Sequence, residues 1–148
     1  MSAAKDVIAV CADRLYEAQR TRNATAPLTQ EHPELTADDA YAIQLVNVNR
    51  LLEQGACISG KKIGLTSPGM QKLLGVNEPD YGHLFTYMDC EIDVPTDELM
   101  QPKIEAEIAF ILGQDLPDRD VTAEDVIDAT EYVCAAFEIV DSRVANWK

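Results

Sequence analysis

The chain has 148 residues, enough for one domain with a hydrophobic core and too few for two well-separated domains. Twelve basic residues against 26 acidic ones give a formal charge of -14 and a pI near 4.3. This charge disfavours nucleic acid and anionic membranes as partners, because both are bound through lysine and arginine. Four widely spaced cysteines without a C-x-x-C pair, and an N-terminus without a signal-peptide pattern, predict a cytoplasmic protein with free, buried thiols.

Two helices are predicted in the first part of the chain. Apolar residues at helical spacing indicate a helix over residues 4–20. Thr36 followed by Asp39 is typical of a capping box that starts a second helix, which Gly55 would end. We therefore predict an N-terminal helical region over residues 1–57.

From residue 58 onward the pattern changes to short strands interleaved with short helices. A short helix is predicted over 66–75, with Ser67 as its cap, and another over 123–132, with Thr122 as its cap. This order predicts an α+β fold in which residues 58–148 form the β-rich part. Four apolar or alternating runs predict strands, at 58–65, 84–88, 103–112 and 133–140.

Two glutamates interrupt the apolar strand predicted over 103–112. Because side chains alternate between the faces of a strand, Glu105 and Glu107 share one face, about 6.6 Å apart along the strand. The strand over 133–140 is almost wholly apolar, which predicts cover on both faces, yet it contains Glu138. A buried carboxylate is costly unless it is paired, protonated or bound to metal. The residues alone leave two explanations open: a solvated amphipathic strand, or an all-oxygen site for a hard divalent cation such as Mg²⁺ or Mn²⁺.

Lys61 and Lys62 are adjacent in the strand predicted over 58–65, so one should be exposed and the other turned inward. Lys62 shares its face with Gly60 and Gly64, small residues that leave room beside it. A lysine in this setting can pair with a substrate carboxylate or take part in acid–base chemistry. The alternative is a lysine whose charged end reaches solvent.

Asp80 and His83 belong to a segment that contains both proline and glycine. Asp80 fits an ordinary turn residue as well as an active-site acid. His83 is a candidate general base, and the alternative is a histidine held in a loop by hydrogen bonds. The residues themselves do not decide between these roles.

Four phrases of the sequence resemble the 2-keto-4-pentenoate hydratase branch of the fumarylacetoacetate hydrolase superfamily. They occur in the family's order and are 61-KKIGLTS-67, 75-GVNEPDYGHLF-85, 103-KIEAEIAFILG-113 and 138-EIVDSRVANWK-148. The branch includes 4-oxalocrotonate decarboxylases and 2-oxohept-4-ene-1,7-dioate hydratases of the meta-cleavage pathways that degrade aromatic compounds. The resemblance implies N-terminal helices followed by a mixed β-sheet core that is incomplete in this chain, since chains of the family continue well beyond the last phrase.

The resemblance also implies a chemistry. It implies a Mg²⁺- or Mn²⁺-dependent hydro-lyase that adds water to a 2-hydroxy-2,4-dienoate, or its 2-oxo tautomer, to give a 4-hydroxy-2-oxo acid. Glu105, Glu107 and Glu138 would hold the metal, and Lys62 and Asp80 would be catalytic. No organic cofactor is expected, because the sequence has no nucleotide-binding glycine motif. The family further implies a homo-oligomer that can associate with a partner enzyme of the same pathway.

Three alternatives to this activity stay open. A 4-oxalocrotonate decarboxylase would also stabilise negative charge on the 2-oxo acid group of its substrate. It would release carbon dioxide instead of adding water. A 2-oxohept-4-ene-1,7-dioate hydratase would act on a diacid. Because the chain looks C-terminally truncated, a non-catalytic subunit is the third. The loop 79-PDYGHLF-85 favours a hydratase over these alternatives, with a substrate of the 2-oxopent-4-enoate type.

Overall fold

The computed structural model describes residues 5–90 and 92–147. Residue 4, where the first helix was predicted to begin, lies outside the described residues. The elements follow the order that the sequence predicts, two helices and then strands interleaved with short helices. They are α1 (Lys5–Thr21), α2 (Ala37–Glu53), β1 (Ile58–Gly64), α3 (Pro68–Leu74), β2 (Asp80–Phe85), β3 (Lys103–Leu112), α4 (Ala123–Ala129) and β4 (Thr130–Val140). Short 3-10 turns lie at Leu28–Gln30, Thr86–Met88, Thr96–Glu98 and Ala145–Trp147.

Helices α1 and α2 pack against each other and bury a small hydrophobic core. Cys11 and Ala12 of α1 and Ile43 of α2 are almost inaccessible to solvent. Asn47 strengthens the contact by donating from Nδ2 to the carbonyl oxygen of Ala12 at 2.9 Å. The core is therefore built from one face of each helix, as the helical spacing of the apolar residues predicts.

The start and the end of α2 follow the predicted signals. Thr36 Oγ1 accepts from the Asp39 backbone N–H at 3.2 Å, and Asp39 Oδ2 accepts from the Thr36 backbone N–H at 3.0 Å. Asp39 is 1% exposed, so the carboxylate side of this reciprocal capping box is buried. Gly55 has φ of 92°, a left-handed conformation that suits glycine just beyond a helix end.

Strands β1 and β2 form an antiparallel pair, with α3 in the connection between them. Lys62 pairs with Gly82, and Gly64 pairs with Asp80. The prediction of a strand over 84–88 is wrong, because the strand begins at Asp80 and ends at Phe85. Its pairing with β1, 16 or more residues earlier in the sequence, extends it over polar residues that hide the strand pattern.

Helix α3 begins and ends at the predicted residues. Ser67 caps it through its side chain, which accepts from the Met70 backbone N–H at 3.2 Å, and Pro68 is its first residue. Gly75 ends it with φ of 72°. The cap, the proline and the glycine are local signals, which is why the sequence locates this short helix correctly.

Strands β3 and β4 form a second, longer antiparallel pair. The predicted boundary between α4 and β4 is wrong: the helix ends at Ala129 instead of residue 132, and the strand begins at Thr130 instead of residue 133. Thr130 pairs with Leu112, so pairing with β3 sets the start of the strand. The predicted N-cap Thr122 accepts from the Asp125 backbone N–H at 3.2 Å and is confirmed.

One face of the β3–β4 pair carries only apolar side chains and is exposed. We call it the apolar face, and Phe137 within it is 73% exposed. The prediction that the strand over 133–140 is covered on both faces is therefore wrong for the residues that the structure describes, because they place no layer over this face. We define the apolar face by its five large exposed residues, which are Ile104, Ile108, Phe110, Val133 and Phe137.

The α+β class predicted from the sequence is confirmed. Both strand pairs are antiparallel, and within the described ranges a parallel contact is seen at an isolated bridge between Thr25 and Val144. That bridge ties the loop after α1 to the segment after β4, through a Thr25 backbone N–H that donates to Arg143 O at 2.8 Å. The division at residue 57 stays a prediction.

The four cysteines are free, as predicted, but three of them are not buried. Cys11 lies in the helical core, and its burial raises the pKa of its thiol. Cys57, Cys90 and Cys134 are exposed. Among the residues described, no helix is both long and apolar enough to cross a membrane.

Candidate metal centre

The register of β3 and β4 brings three glutamates together on one face. Glu105 lies directly opposite Glu138, and Glu107 is two residues further along on the same side. One carboxylate oxygen of each residue lies within 4.8 Å of those of the other two. We call Glu105, Glu107 and Glu138 the carboxylate cluster.

This arrangement has no benefit for the sheet itself. Like charges placed directly opposite each other destabilise an antiparallel pair, and here Glu105 and Glu138 occupy such positions. Glu138 is also only 21% exposed in its side chain, so solvent screens its charge less well than that of a surface residue. The carboxylate cluster is therefore a feature that stability alone does not explain.

The carboxylate cluster fits a hard divalent cation in chemistry and in size. Carboxylate oxygens are the ligands that Mg²⁺, Mn²⁺ and Ca²⁺ prefer. Two oxygens bound to one Mg²⁺ lie at most about 4.2 Å apart, and Ca²⁺ allows about 5 Å. A spread of 4.8 Å needs only small side-chain rotations to place all three oxygens on one ion.

Lys62 reaches the carboxylate cluster from the other strand pair. Its Nζ lies 3.1 Å from Oε1 of Glu138, and the side chains are 27% and 21% exposed, respectively. The neighbouring Lys61 is exposed, so the predicted division between an inward and an outward lysine holds. This ion pair joins the β1–β2 pair to the β3–β4 pair at the site.

Asp80 lies beside Lys62, across the register from Gly64. A Cβ atom added at Gly64 would lie 2.1 Å from Oδ1 of Asp80 and 3.4 Å from Nζ of Lys62. The carboxylate and the ammonium therefore both approach the space over Gly64. The structure thus brings all five predicted site residues into one region, while their catalytic and metal-binding roles remain predictions.

His83 lies on the opposite side of the β1–β2 pair from Lys62. It pairs with Lys61 across the strands, and its Nδ1 is 3.1 Å from Oε1 of Gln44. Gln44 in turn donates from Nε2 to the Tyr81 carbonyl oxygen at 3.1 Å. These contacts fit the hydrogen-bonded alternative for His83 and place it away from the carboxylate cluster.

Sequence reasoning did not identify the residues that fix the ends of β3 and β4. Asp141 accepts from the backbone N–H groups of Met100 and Gln101 at 2.9 and 2.7 Å. Gln101 Nε2 donates to the carbonyl oxygens of Ser142 and Val144, both at 2.9 Å. These bonds join segments 40 or more residues apart, and no local pattern in the sequence marks such partners.

The fold and the carboxylate cluster together define an α+β protein with a candidate divalent-cation site next to a lysine. No protein-family model matches the chain. Individual relatives do match. The chain is 47% identical over 139 residues to a 2-keto-4-pentenoate hydratase of Paraburkholderia xenovorans (strain LB400), covering 92% of this chain and 51% of the relative. It is 45% identical over 148 residues to a 2-hydroxyhexa-2,4-dienoate hydratase of Comamonas testosteroni, covering 97% of this chain and 56% of the relative.

The fold has a solved counterpart as well. The 4-oxalocrotonate decarboxylase of Pseudomonas putida G7, complexed with magnesium and adipate, matches 99% of this chain with a TM-score of 0.87 and 32% identity. The match covers 57% of the decarboxylase chain. Over nearly its whole length the chain is similar to 2-keto-4-pentenoate hydratases and to a 4-oxalocrotonate decarboxylase, and the resemblance seen in the sequence is confirmed. It spans about half the length of the relatives it matches.

Proposed function

We propose that this chain carries the metal-binding part of a hydratase that acts on a 2-hydroxy-2,4-dienoate in the meta-cleavage degradation of aromatic compounds. The observation that carries the proposal is the carboxylate cluster with Lys62 paired to Glu138. Support also comes from the relatives at 45% and 47% identity, both named hydratases. The substrate would be 2-hydroxypenta-2,4-dienoate or a close homologue, and the product a 4-hydroxy-2-oxo acid.

In this proposal Glu105, Glu107 and Glu138 hold Mg²⁺ or Mn²⁺. Their three negative charges, of which Lys62 pairs with that of Glu138, offset the dehydration of a small dication. When bound, the cation supplies Lewis-acid stabilisation of negative charge on the 2-oxo oxygen and carboxylate of the substrate. The decarboxylase relative was solved with magnesium, which supports a cation of this kind.

Lys62 would orient the substrate, and Asp80 would transfer protons. The ammonium of Lys62 can turn from Glu138 to the substrate carboxylate and orient it by charge and hydrogen bonding. Asp80, beside the same ammonium, can accept and return a proton during tautomerisation. In the net reaction carbons 3 and 5 each gain a proton, carbon 4 gains a hydroxyl, and the 2-hydroxyl proton is lost, so one water is added.

A 4-oxalocrotonate decarboxylase is the second candidate function. The observation that favours it is the match to the decarboxylase of Pseudomonas putida G7 over 99% of this chain. Both reactions build negative charge on the same 2-oxo acid group, so the carboxylate cluster suits either one. Release of carbon dioxide from a diacid substrate separates the two activities.

The assembly and location of the protein are part of the proposal. We infer a cytoplasmic homo-oligomer that can associate with a partner enzyme of its pathway. The exposed apolar face supports association, because contiguous apolar surface of this kind marks interaction sites. A chain of this length can also serve as a non-catalytic subunit that keeps the carboxylate cluster.

The direct test is the loss of dienoate ultraviolet absorbance in the presence of the chain. Freshly generated 2-hydroxypenta-2,4-dienoate is added with Mg²⁺ or Mn²⁺, alongside EDTA and a Glu107→Gln variant. Metal-dependent decay that both controls abolish, with a 4-hydroxy-2-oxo acid as product, is expected of the hydratase. No decay in a folded sample that binds the metal would contradict activity of this chain and favour the non-catalytic subunit.

A further inference from the structure

Lys62 reaches Glu138 through a space that two glycines leave open. Gly82 lies directly opposite Lys62 in the β1–β2 pair, and Gly64 lies two residues from Lys62 on the same face. A Cβ atom at Gly82 would lie 2.9 Å from Cγ and 3.3 Å from Cδ of Lys62. The first contact is shorter than Cβ atoms normally make and the second is tight, so a side chain at residue 82 would push against the stem of the lysine.

Backbone geometry does not explain the glycines. The positive-φ glycines of the chain are Gly55 and Gly75, whereas Gly64 and Gly82 have φ values that any residue adopts. Glycine in a strand interior weakens the strand, and it often marks a site where another group approaches closely. The close groups here are the side chains of Lys62 and Asp80.

The two glycines act on different members of the site. A Cβ at Gly82 would meet the stem of Lys62 near its base, so the side chain would have to rotate and carry Nζ away from Glu138. A Cβ at Gly64 would meet Oδ1 of Asp80 at 2.1 Å and displace that carboxylate first. We propose that Gly82 and Gly64 are positioning residues that hold Lys62 and Asp80 beside the carboxylate cluster.

Gly60 provides a matched control on the same strand. It lies on the same face of β1 as Lys62, and its added Cβ would meet only Cδ1 of Leu84 within 4 Å, at an ordinary distance of 3.9 Å. Alanine at residue 60 therefore removes a strand glycine without entering the space that Lys62 occupies. The importance of the glycines for catalysis rests on the proposed function, whereas the test below uses neither metal nor substrate.

The first measurement is acetylation of Lys62 in the metal-free chain, with the neighbouring Lys61 as internal reference. An ammonium held by a carboxylate is protected from an amine reagent, and loss of the ion pair exposes it. We expect Gly82→Ala to raise the ratio of Lys62 to Lys61 acetylation about 3-fold, in line with an ion pair of modest strength. Gly60→Ala should leave the ratio unchanged. An unchanged ratio in Gly82→Ala overturns the proposal even if the variant is less stable.

The second measurement is a double-mutant cycle in Tm. Gly82→Ala should lower Tm by about 5 °C through overpacking against Lys62. Lys62→Ala removes Cγ and Cδ, so Gly82→Ala should change Tm little in that background. A Tm loss that persists without the lysine side chain overturns the proposal.

The cycle also decides the case in which Gly82→Ala alone does not fold. A double variant that folds with the Tm of Lys62→Ala supports the steric contact, and one that stays unfolded overturns it. Absence of dienoate turnover would contradict the proposed function and leave both measurements interpretable, because they report on the metal-free ion pair.

Discussion

At the scale of single residues, the site combines three negative charges with one positive charge. Three carboxylates within 4.8 Å of one another carry three negative charges, and the Lys62 ammonium at 3.1 Å from Glu138 neutralises one of them. The positive charge of Lys62 therefore lies close to the place where the carboxylate cluster would bind a divalent cation. The same charge that stabilises the metal-free cluster opposes metal binding.

Replacement of Lys62 by methionine should consequently tighten metal binding. The substitution removes a positive charge close to the incoming dication and frees Glu138, so we expect Mn²⁺ affinity to rise at least ~3-fold. Calorimetric titration of metal-free protein measures it. Lys61→Met, an equal charge change at the exposed neighbour, should have a much smaller effect. Weaker Mn²⁺ binding to the Lys62 variant would mean that the lysine supports the site instead of competing.

At the scale of secondary structure, helix α4 leads directly into strand β4, which carries Glu138. The helix has only seven residues and leads directly into β4, so its N-terminal cap contributes much of its local stability. Asp125 completes that cap by accepting from the Thr122 backbone N–H at 2.8 Å, and Arg119 donates to both of its oxygens at 2.6 and 2.8 Å.

Hydrogen bonding from Arg119, and then from Thr122, lowers the pKa of Asp125 to about 2 from its ordinary value of 3.8. A lowered pKa means that the carboxylate stabilises the fold above pH 3.8, and that this contribution is lost as pH falls toward 2. Asp125→Asn should therefore lower Tm at pH 6, and the difference from wild type should shrink between pH 4 and pH 2. Asp128→Asn in the same helix is the control. A Tm difference that stays constant down to pH 2 would contradict this role of Asp125.

The sequence predicts elements wherever the signal is local. The Thr36–Asp39 capping box, Ser67 before Pro68, and Gly75 each act within a few residues, and the structure confirms the helix ends that they mark. The β2 strand was misplaced because Asp80, Gly82 and His83 break the apolar pattern, and only pairing with β1 shows that they form a strand.

The sequence likewise predicts the local part of the site and not the part that depends on strand pairing. Strand alternation places Glu105 and Glu107 on one face, and the structure agrees. The pairing of Glu105 with Glu138 depends on the register of residues 33 positions apart in sequence. The residues alone left a shared metal site and a solvated strand both open, and the family resemblance favoured the metal site. The position of Gly82 opposite Lys62 depends on the register between β1 and β2, and the sequence does not predict it.

At the scale of the whole molecule, the chain leaves the apolar face exposed. Its five residues lie on neighbouring strands and form one continuous surface behind the carboxylate cluster. The chain corresponds to 57% of the decarboxylase that shares its fold. An apolar surface of this kind favours association of the isolated chain, since monomeric soluble proteins rarely expose one.

Sedimentation velocity should show that the isolated chain associates as its concentration rises. Phe137→Gln replaces a 73% exposed ring at the centre of the apolar face and should shift the equilibrium toward monomer. Leu73→Gln, at a residue of α3 that is 74% exposed and lies outside that face, should have little effect. Equal association of both variants and wild type would show that the chain associates elsewhere or not at all.

The proposed function requires that Glu105, Glu107 and Glu138 form a divalent-metal centre. The measurement that tests it most directly is Mn²⁺ titration of the folded wild type, Glu138→Gln and Glu131→Gln, an equal charge change on the same strand outside the carboxylate cluster. We expect one Mn²⁺ per chain in wild type, an affinity at least ~10-fold weaker in Glu138→Gln, and little change in Glu131→Gln. Equal Mn²⁺ affinity in all three folded proteins would contradict a metal centre at these glutamates.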